Sequence, residues 1–435
     1  MAIAKRFFLG LVLGVCSVCS LADLVAGPMP GWIGVRSAVI WAQFDTSEPV
    51  TITYWSESIA AESQTAAVDP IERTARFHLT NLTPGIEYQY TFSSLPGASE
   101  SEYVFRTQPL WFWREPPPDF TVALGSCSYI NDPPLDRPGK AYGGQYEIFD
   151  AIADTKPTFM MWLGDNLYFR EADFLSSGGL AYRYRYQRRF PQLQRLLQST
   201  HHVAVWDDHD YGPNDANSSF ILREQALALF SQYWSNPSAG TAETAGIFTT
   251  FTYSDAQFFL LDDRYHRDAD KLQNVAAKSL YGDEQLAWLR NALVSSRSRF
   301  KFIVGGSEFL SRHRFEGWHN FPKERKEFLN WLSASDIKGI IFLSGDRHFT
   351  KLSRYDRTDR YPLFELTCSP LSARAVPQSV DINEPGIVTG TVVQRRNFCS
   401  LGFSGQGKAR ALSIAVQGSD GRPLWRREFA AGDFQ

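Results

Sequence analysis

Six short apolar runs, at residues 120–124, 158–163, 203–206, 258–261, 302–304 and 340–343, each change abruptly to Gly or Asp, or to a polar cluster, at their carboxyl ends. Runs of this length bounded by turn residues predict buried strands. Between them, residues 146–153, 182–197, 219–233, 283–294 and 322–334 carry apolar positions at helical spacing, with Asp283 and Pro322 as start signals. Strands alternating with helices predict a layered α/β domain. Their polar ends are expected to meet along one rim of a sheet, where such domains bind ligands. After Ser344 the pattern returns to strands at 363–367, 412–417 and 424–429, with Ser419-Asp420-Gly421 as a hairpin turn. These predict a second sheet facing the first.

The first quarter of the chain reads differently. Alternating segments at 38–44, 50–55, 74–79, 87–93 and 103–107 predict strands and no helix. Residues 82–90 form a turn that feeds a strand with a tyrosine early in it, the arrangement of a tyrosine corner. The expected organisation is a signal segment at 1–22 and a small fibronectin type III or immunoglobulin-like sandwich at 23–108. A linker at 109–118, holding Trp111, Trp113 and three consecutive prolines, then leads to a larger domain at 119–435.

Composition changes this picture little. Apolar content of 43% and aromatic content of 14% suit a packed globule of 435 residues, and a net charge of -3 gives no basic footprint for nucleic acid. The amino terminus adds more. Lys5-Arg6, the apolar stretch 7–21 and Ser20-Leu21-Ala22 have the layout of a bacterial export signal cleaved before Asp23; a single membrane anchor is the plainer alternative. Lys5-Arg6-Phe7-Phe8-Leu9 is one residue from a twin-arginine signal. A periplasmic or secreted chain without a membrane span after cleavage is expected. It keeps Cys127, Cys368 and Cys399, so at least one thiol lacks a disulfide partner. Cys368 and Cys399 are able to pair, and Cys127, at a strand end, is a candidate ligand.

The candidate chemistry lies at the strand ends. Trp206-Asp207-Asp208-His209-Asp210-Tyr211-Gly212-Pro213-Asn214-Asp215 packs four carboxylates, an imidazole and a carboxamide into ten residues, a density expected to need cations. Gly125-Ser126-Cys127, Gly164-Asp165-Asn166-Leu167-Tyr168, Asp262-Asp263-Arg264 and Gly345-Asp346-Arg347-His348 add further ligand types. Two close cations can hold a phosphate between them if one carboxylate is shared and each ion has its own O, N or S donors. Asp165 is the expected bridge, with Tyr168 on the same ion. Asp208 and Asn214 suit a second, harder ion, and Asp346 and His348 can reach either. His209 is left as proton donor or phosphate-orienting group. Arg264 is an internal counterion for Asp262 or Asp263, or a phosphate clamp. His313 and His319 are expected near the mouth, and the basic aromatic run from Tyr182 to Arg189 on a solvated helix face.

With these motifs in this order, the chain resembles the PhoD-like alkaline phosphatase D family of metallophosphoesterases over nearly everything after the signal. The resemblance implies a four-layer α/β/β/α fold behind the sandwich. It also implies phosphoester hydrolysis at alkaline pH by attack of a metal-bound hydroxide on phosphorus, and a centre containing iron (Fe3+) with calcium, other divalent ions being the alternative. Tyr168 is similar to the iron-ligating tyrosine of purple acid phosphatases, with Cys127 replacing the aspartate and histidine that most metallophosphoesterases place after their first strand. Asp207-Asp208-His209 resembles the superfamily's Gly-Asn-His motif and Gly345-Asp346-Arg347-His348 its last Gly-His-x-His motif. Gly305-Gly306-Ser307-Glu308 departs from the pattern, since the wider superfamily supplies a histidine there and this family often a glutamine.

The expected partners are a phosphoester substrate and inorganic phosphate. The alternatives are a phosphodiesterase or phospholipase D-like enzyme acting on lipid or wall-polymer phosphodiesters, and a metal-stabilised binding module without catalysis.

Overall fold

The computed structural model describes residues 23–92, 103–273, 278–312, 316–358, 360–376 and 384–434. The signal segment and His313 lie outside these residues. No helix among the described residues is long and apolar enough to cross a membrane.

The chain opens with seven strands: β1 (Leu24–Ile33), β2 (Ala38–Phe44), β3 (Val50–Ser56), β4 (Ile59–Ala66), β5 (Thr74–Leu79), β6 (Glu87–Phe92) and β7 (Tyr103–Arg106). They form two antiparallel sheets of order β1-β2-β5 and β4-β3-β6-β7. Alternating positions such as Ile40, Ile52, Phe77 and Phe92 turn inward to a core of their own, where Phe92 meets Phe44 and Phe77 at 5.4 and 5.3 Å between ring centroids. The tyrosine corner is present: buried Tyr88 accepts a hydrogen bond at its hydroxyl from the Thr83 backbone nitrogen, at 2.8 Å. Strand β1, with two prolines and two glycines, escapes the alternation rule because its outer face docks on the larger unit. Trp32 N donates to Ser235 O at 2.9 Å, and a Cβ on Gly31 would stand 2.3 Å from that of Ser235.

The larger unit contains β8 (Phe120–Gly125), β9 (Phe159–Leu163), β10 (His201–Val205), β11 (Thr249–Tyr253), β12 (Ala256–Leu260), β13 (Phe300–Val304), β14 (Ile340–Ser344), β15 (Lys351–Arg357), β16 (Arg360–Thr367), β17 (Asn397–Ser404), β18 (Ala411–Gly418) and β19 (Pro423–Ala430). Its helices are α1 (Glu147–Asp154), α2 (Ser177–Arg188), α3 (Pro191–Ser199), α4 (Asp208–Tyr211), α5 (Arg223–Tyr233), α6 (Asp283–Ser295) and α7 (Pro322–Ala334). Two mixed sheets of six strands stack face to face, in the orders β10-β9-β8-β17-β18-β19 and β11-β12-β13-β14-β16-β15.

Successive residues of these strands serve different layers. Phe258 and Phe302 point inward, Phe258 meeting Phe159 of the other sheet at 5.4 Å, while Phe259, Ile303 and Phe342 point outward to Leu286, Leu289, Phe328 and Leu332 of α6 and α7. On the opposite side, α1, α2, α3 and α5 cover the first sheet. The result is the expected four-layer α/β/β/α arrangement.

Three expectations change. The six apolar strands do not share one rim: β8, β9 and β10 lie in one sheet and β12, β13 and β14 in the other. The carboxyl-terminal strands form no separate sheet either. β17 to β19 extend the first sheet beside β8, and β15 and β16 extend the second beside β14. Finally, the segment expected as one helix at 182–197 breaks at Phe190-Pro191 into α2 and α3. The arginines of α2 are not on a solvated face. Arg183 is buried against Asp173 at 2.8 Å and Asp132 at 3.2 Å, and Arg188 lies over the Trp234 ring at 4.0 Å. Arg185 reaches across to Glu72 of the sandwich at 2.7 Å.

Candidate metal centre

Each strand of interest ends in a reversal that lifts a side chain over the sheet edge. Cys127, Asp165, Asp346 and His348 all adopt left-handed backbone conformations, with φ of 59°, 52°, 63° and 55°. Non-glycine residues seldom do so, and such strain gathers at functional sites. The reversals interlock. Cys127 N donates to Gly164 O at 3.3 Å, Ser128 N to Asp165 O at 2.8 Å, and Gly345 N to Gly306 O at 2.7 Å. Gly345 has no room for a side chain, since a Cβ would sit 2.3 Å from Leu163 O.

Three sets of donor atoms converge there, each within 4.8 Å of one another: Cys127, Asp165 and His348; Asp165, Asp208 and His209; Asp208, Asp215 and Glu316. Asp165 belongs to the first two and Asp208 to the last two. Around the first set, Tyr168 donates its hydroxyl to Asp165 Oδ2 at 2.9 Å and lies 3.0 Å from His348 Nε2. His348 Nδ1 donates to the carbonyl of Arg374 at 2.6 Å, which leaves the Nε2 lone pair facing the pocket. Cys127 Sγ receives a hydrogen bond from Ser369 at 3.0 Å. In the second set, Asp165 Oδ1 accepts from the His209 backbone at 3.3 Å, and the His209 ring stacks against Tyr168 at 4.3 Å.

The electrostatics test whether these residues suit cations. Burial, then the neighbouring Cys127, Asp208, Asp210 and Asp346, drive the Asp165 carboxyl well above its ordinary range. Burial pushes the Cys127 thiol up to about 11, and burial with Glu316 pushes Asp346 up to about 7. Burial lowers the pKa of His209 and of His348, in His209 against the pull of Asp208 and Glu316. Asp208 Oδ1 is buried without a hydrogen-bond partner. Burial and mutual repulsion that raise Cys127, Asp165 and Asp346, beside an orphaned Asp208 oxygen, are what a cation would relieve.

Not all the acidic residues take part. Asp207 is matched by Arg264, whose Nε lies 2.6 Å from its Oδ1, and Asp210 accepts from the backbone of Asp207 at 2.6 Å and from the Asn166 side chain at 2.6 Å. Of the four carboxylates expected to need cations, Asp207 is therefore paired with a guanidinium and Asp210 is held by hydrogen bonds within the protein. Arg264 is fully buried, with Glu316 at 3.2 Å and Asp263 at 4.0 Å. Its surroundings favour the counterion reading over the clamp, with Asp207 and Glu316 as its main partners. Asp262 instead accepts from Trp206 Nε1 at 2.9 Å and the Ile247 backbone at 2.9 Å.

Asp346 presents its backbone carbonyl to Cys127 Sγ at 3.5 Å, while its carboxylate lies 3.6 Å from Arg347. Asn214 is exposed and lines the same cavity as His209. His319 is exposed. Cys368 and Cys399 form a disulfide, and Cys127 is a free, buried thiol.

Asp215 and Glu316 are the candidate ligands that the sequence reading missed. Asp215 had a signal, its place in the acidic run. Glu316 had none, since it follows no apolar run and reaches the site only through the fold. Within Gly305-Gly306-Ser307-Glu308, a Cβ on Gly306 would stand 2.5 Å from Asp207 Cγ. Glu308 is engaged elsewhere, 3.1 Å from Lys351 and 3.6 Å from Arg347.

Two stacked mixed sheets with helices outside, carrying bridged donor sets at their strand ends, define the metallophosphoesterase class of architecture. The sequence model of the PhoD-like phosphatase family matches residues 122–414, and the chain belongs to that family. It is 24% identical over 318 residues to alkaline phosphatase D of Bacillus subtilis (strain 168), covering 61% of this chain and 52% of the relative, so the chain spans about half the length of that curated relative. In fold it is similar to a solved PhoD structure, with a TM-score of 0.69 at 17% identity over 92% of this chain and 91% of the other. It is also similar to purple acid phosphatase PPD1 from yellow lupin (Lupinus luteus) seeds, with a TM-score of 0.66 at 11% identity, over 93% and 74%.

Proposed function

We propose that the protein is a metal-dependent phosphoesterase that releases an alcohol and phosphate from phosphate esters. The observation that carries this reading is the sharing of Asp165 between two adjacent donor sets, the arrangement that two-ion phosphoester hydrolysis requires. Cys127, Asp165, Tyr168 and His348 would hold an iron, and Asp165 and Asp208, with Asn214, a harder ion such as calcium. Bound cations supply Lewis-acid polarisation of the phosphoryl group and activation of water. The chain's own residues do the rest. The Arg374 carbonyl fixes the tautomer of His348, Asp210 and Asn166 pin the two acidic turns together, and His209 gives a proton to the departing alcohol.

Residues 1–22 are assigned as an export signal, which the Cys368–Cys399 disulfide supports, since such bonds persist in oxidising compartments. Metal-replete protein should hydrolyse mono- or bis-nitrophenyl phosphate, and the stronger ester decides between monoesterase and diesterase. Asp208→Ala should lower kcat by about 100-fold or more. If neither ester turns over while metal is bound, the protein is a metal-stabilised binding module instead.

A further inference from the structure

Beside the converging donor sets a cavity of about 410 Å3 opens to solvent, within the range of small-molecule sites and far larger than one phosphate group needs. Tyr168 and His209 line its buried end, and half-buried Tyr142 and Phe174 give it aromatic walls. His209 is the proton donor to the departing alcohol in the reading above, so the alcohol must lie on the side that His209 faces. This cavity lies there.

The cations at its rim are not equivalent. Arg137 is paired with Glu171, and buried Arg170 with Asp136 at 2.9 Å. Lys140 and Arg374 have no carboxylate partner among the described residues, and both line the cavity. Arg374 is braced, donating to the carbonyls of Lys140 at 2.7 Å and Ala141 at 3.2 Å, with its guanidinium 5.4 Å from the Tyr142 ring centre. An arginine held by carbonyls and an aromatic face keeps its charge available to a ligand.

We propose that this cavity receives the leaving group, and that Lys140 and Arg374 select alcohols carrying a second anionic group. The inference rests on the phosphoesterase reading. In the step concerned, water oxygen bonds to phosphorus and releases one proton to solvent, the bond from phosphorus to the alcohol oxygen breaks, and the alcohol oxygen takes a proton from protonated His209, which regains one from solvent. The anionic substituent stays on the alcohol throughout and meets the two cations.

The test compares 4-carboxyphenyl phosphate with 4-carbamoylphenyl phosphate, which have similar size and differ in charge, on the metal-loaded full chain. The ratio of kcat/KM should favour the carboxylate by about fivefold and shrink as salt is raised. It should fall toward one in Lys140→Gln and in Arg374→Gln, a change in ratio that a merely structural defect would not produce. A wild-type ratio of one or less, or a ratio unchanged in both variants, overturns the inference and leaves the phosphoesterase reading intact. Absence of turnover on both esters overturns that reading, and this inference with it.

Discussion

At the scale of single residues, burial sets what each titratable group does. His202 is fully buried, accepts at Nδ1 from Trp162 Nε1 at 3.0 Å and donates from Nε2 to the Leu196 carbonyl at 3.1 Å. Burial lowers its pKa to about 3. The unfolded chain therefore binds a proton near pH 6.5 that the folded chain refuses until about pH 3, and the stability due to neutral His202 is lost as pH falls through that window. Between pH 6.5 and 5 this residue should cost about 2 kcal/mol. Urea denaturation at the two pH values measures it, and His202→Gln should show a smaller difference than the wild type. A metal-ligand candidate such as Asp165 was legible because it ends an apolar run. Glu316 was not, since only tertiary structure carries it to Asp208.

At the scale of elements, the turns between strand and loop hold the centre, and glycines allow them to approach. Gly306→Ala would force a methyl group into Asp207, which Arg264 holds fast, so the reversal after β13 must move. A loss of about 2 kcal/mol is expected, read as a lower denaturation midpoint, together with weaker metal retention. An unchanged midpoint would show that the Asp207 turn is softer than its contacts imply. The strands legible in the sequence carry either a continuous apolar run, β9 and β14 among them, or a clear alternation, as in β3 and β5. Among those not read as strands, β4 is a largely exposed edge strand of small and polar residues after Ile59, β1 is buried by docking, and β17 mixes Asn397 and Ser400 with small residues while pairing on both flanks. The break before Pro191 was legible as a single proline and was passed over in favour of helical spacing.

For the whole molecule, the two sheets are joined at their edge by side chains that repel one another. Cations offset that repulsion, so exhaustive chelation should lower Tm by roughly 5–10 °C. It should also bleach any visible band arising from Tyr168 bound to iron, and re-addition of metal should restore both. A Tm indifferent to chelation would mean that the centre contributes nothing to folding.

The lateral position of β17 has a consequence for how such a protein is made. β8, which leads into Cys127, is flanked on one side by β9 and on the other by β17, a strand far downstream in the sequence. As the polypeptide leaves the ribosome, the cysteine's strand waits with one bare flank until β17 has been synthesised. The pocket is thus completed only once that strand has joined, and a chain cut short before Asn397 would keep its acidic loops but leave β8 with an unpaired flank.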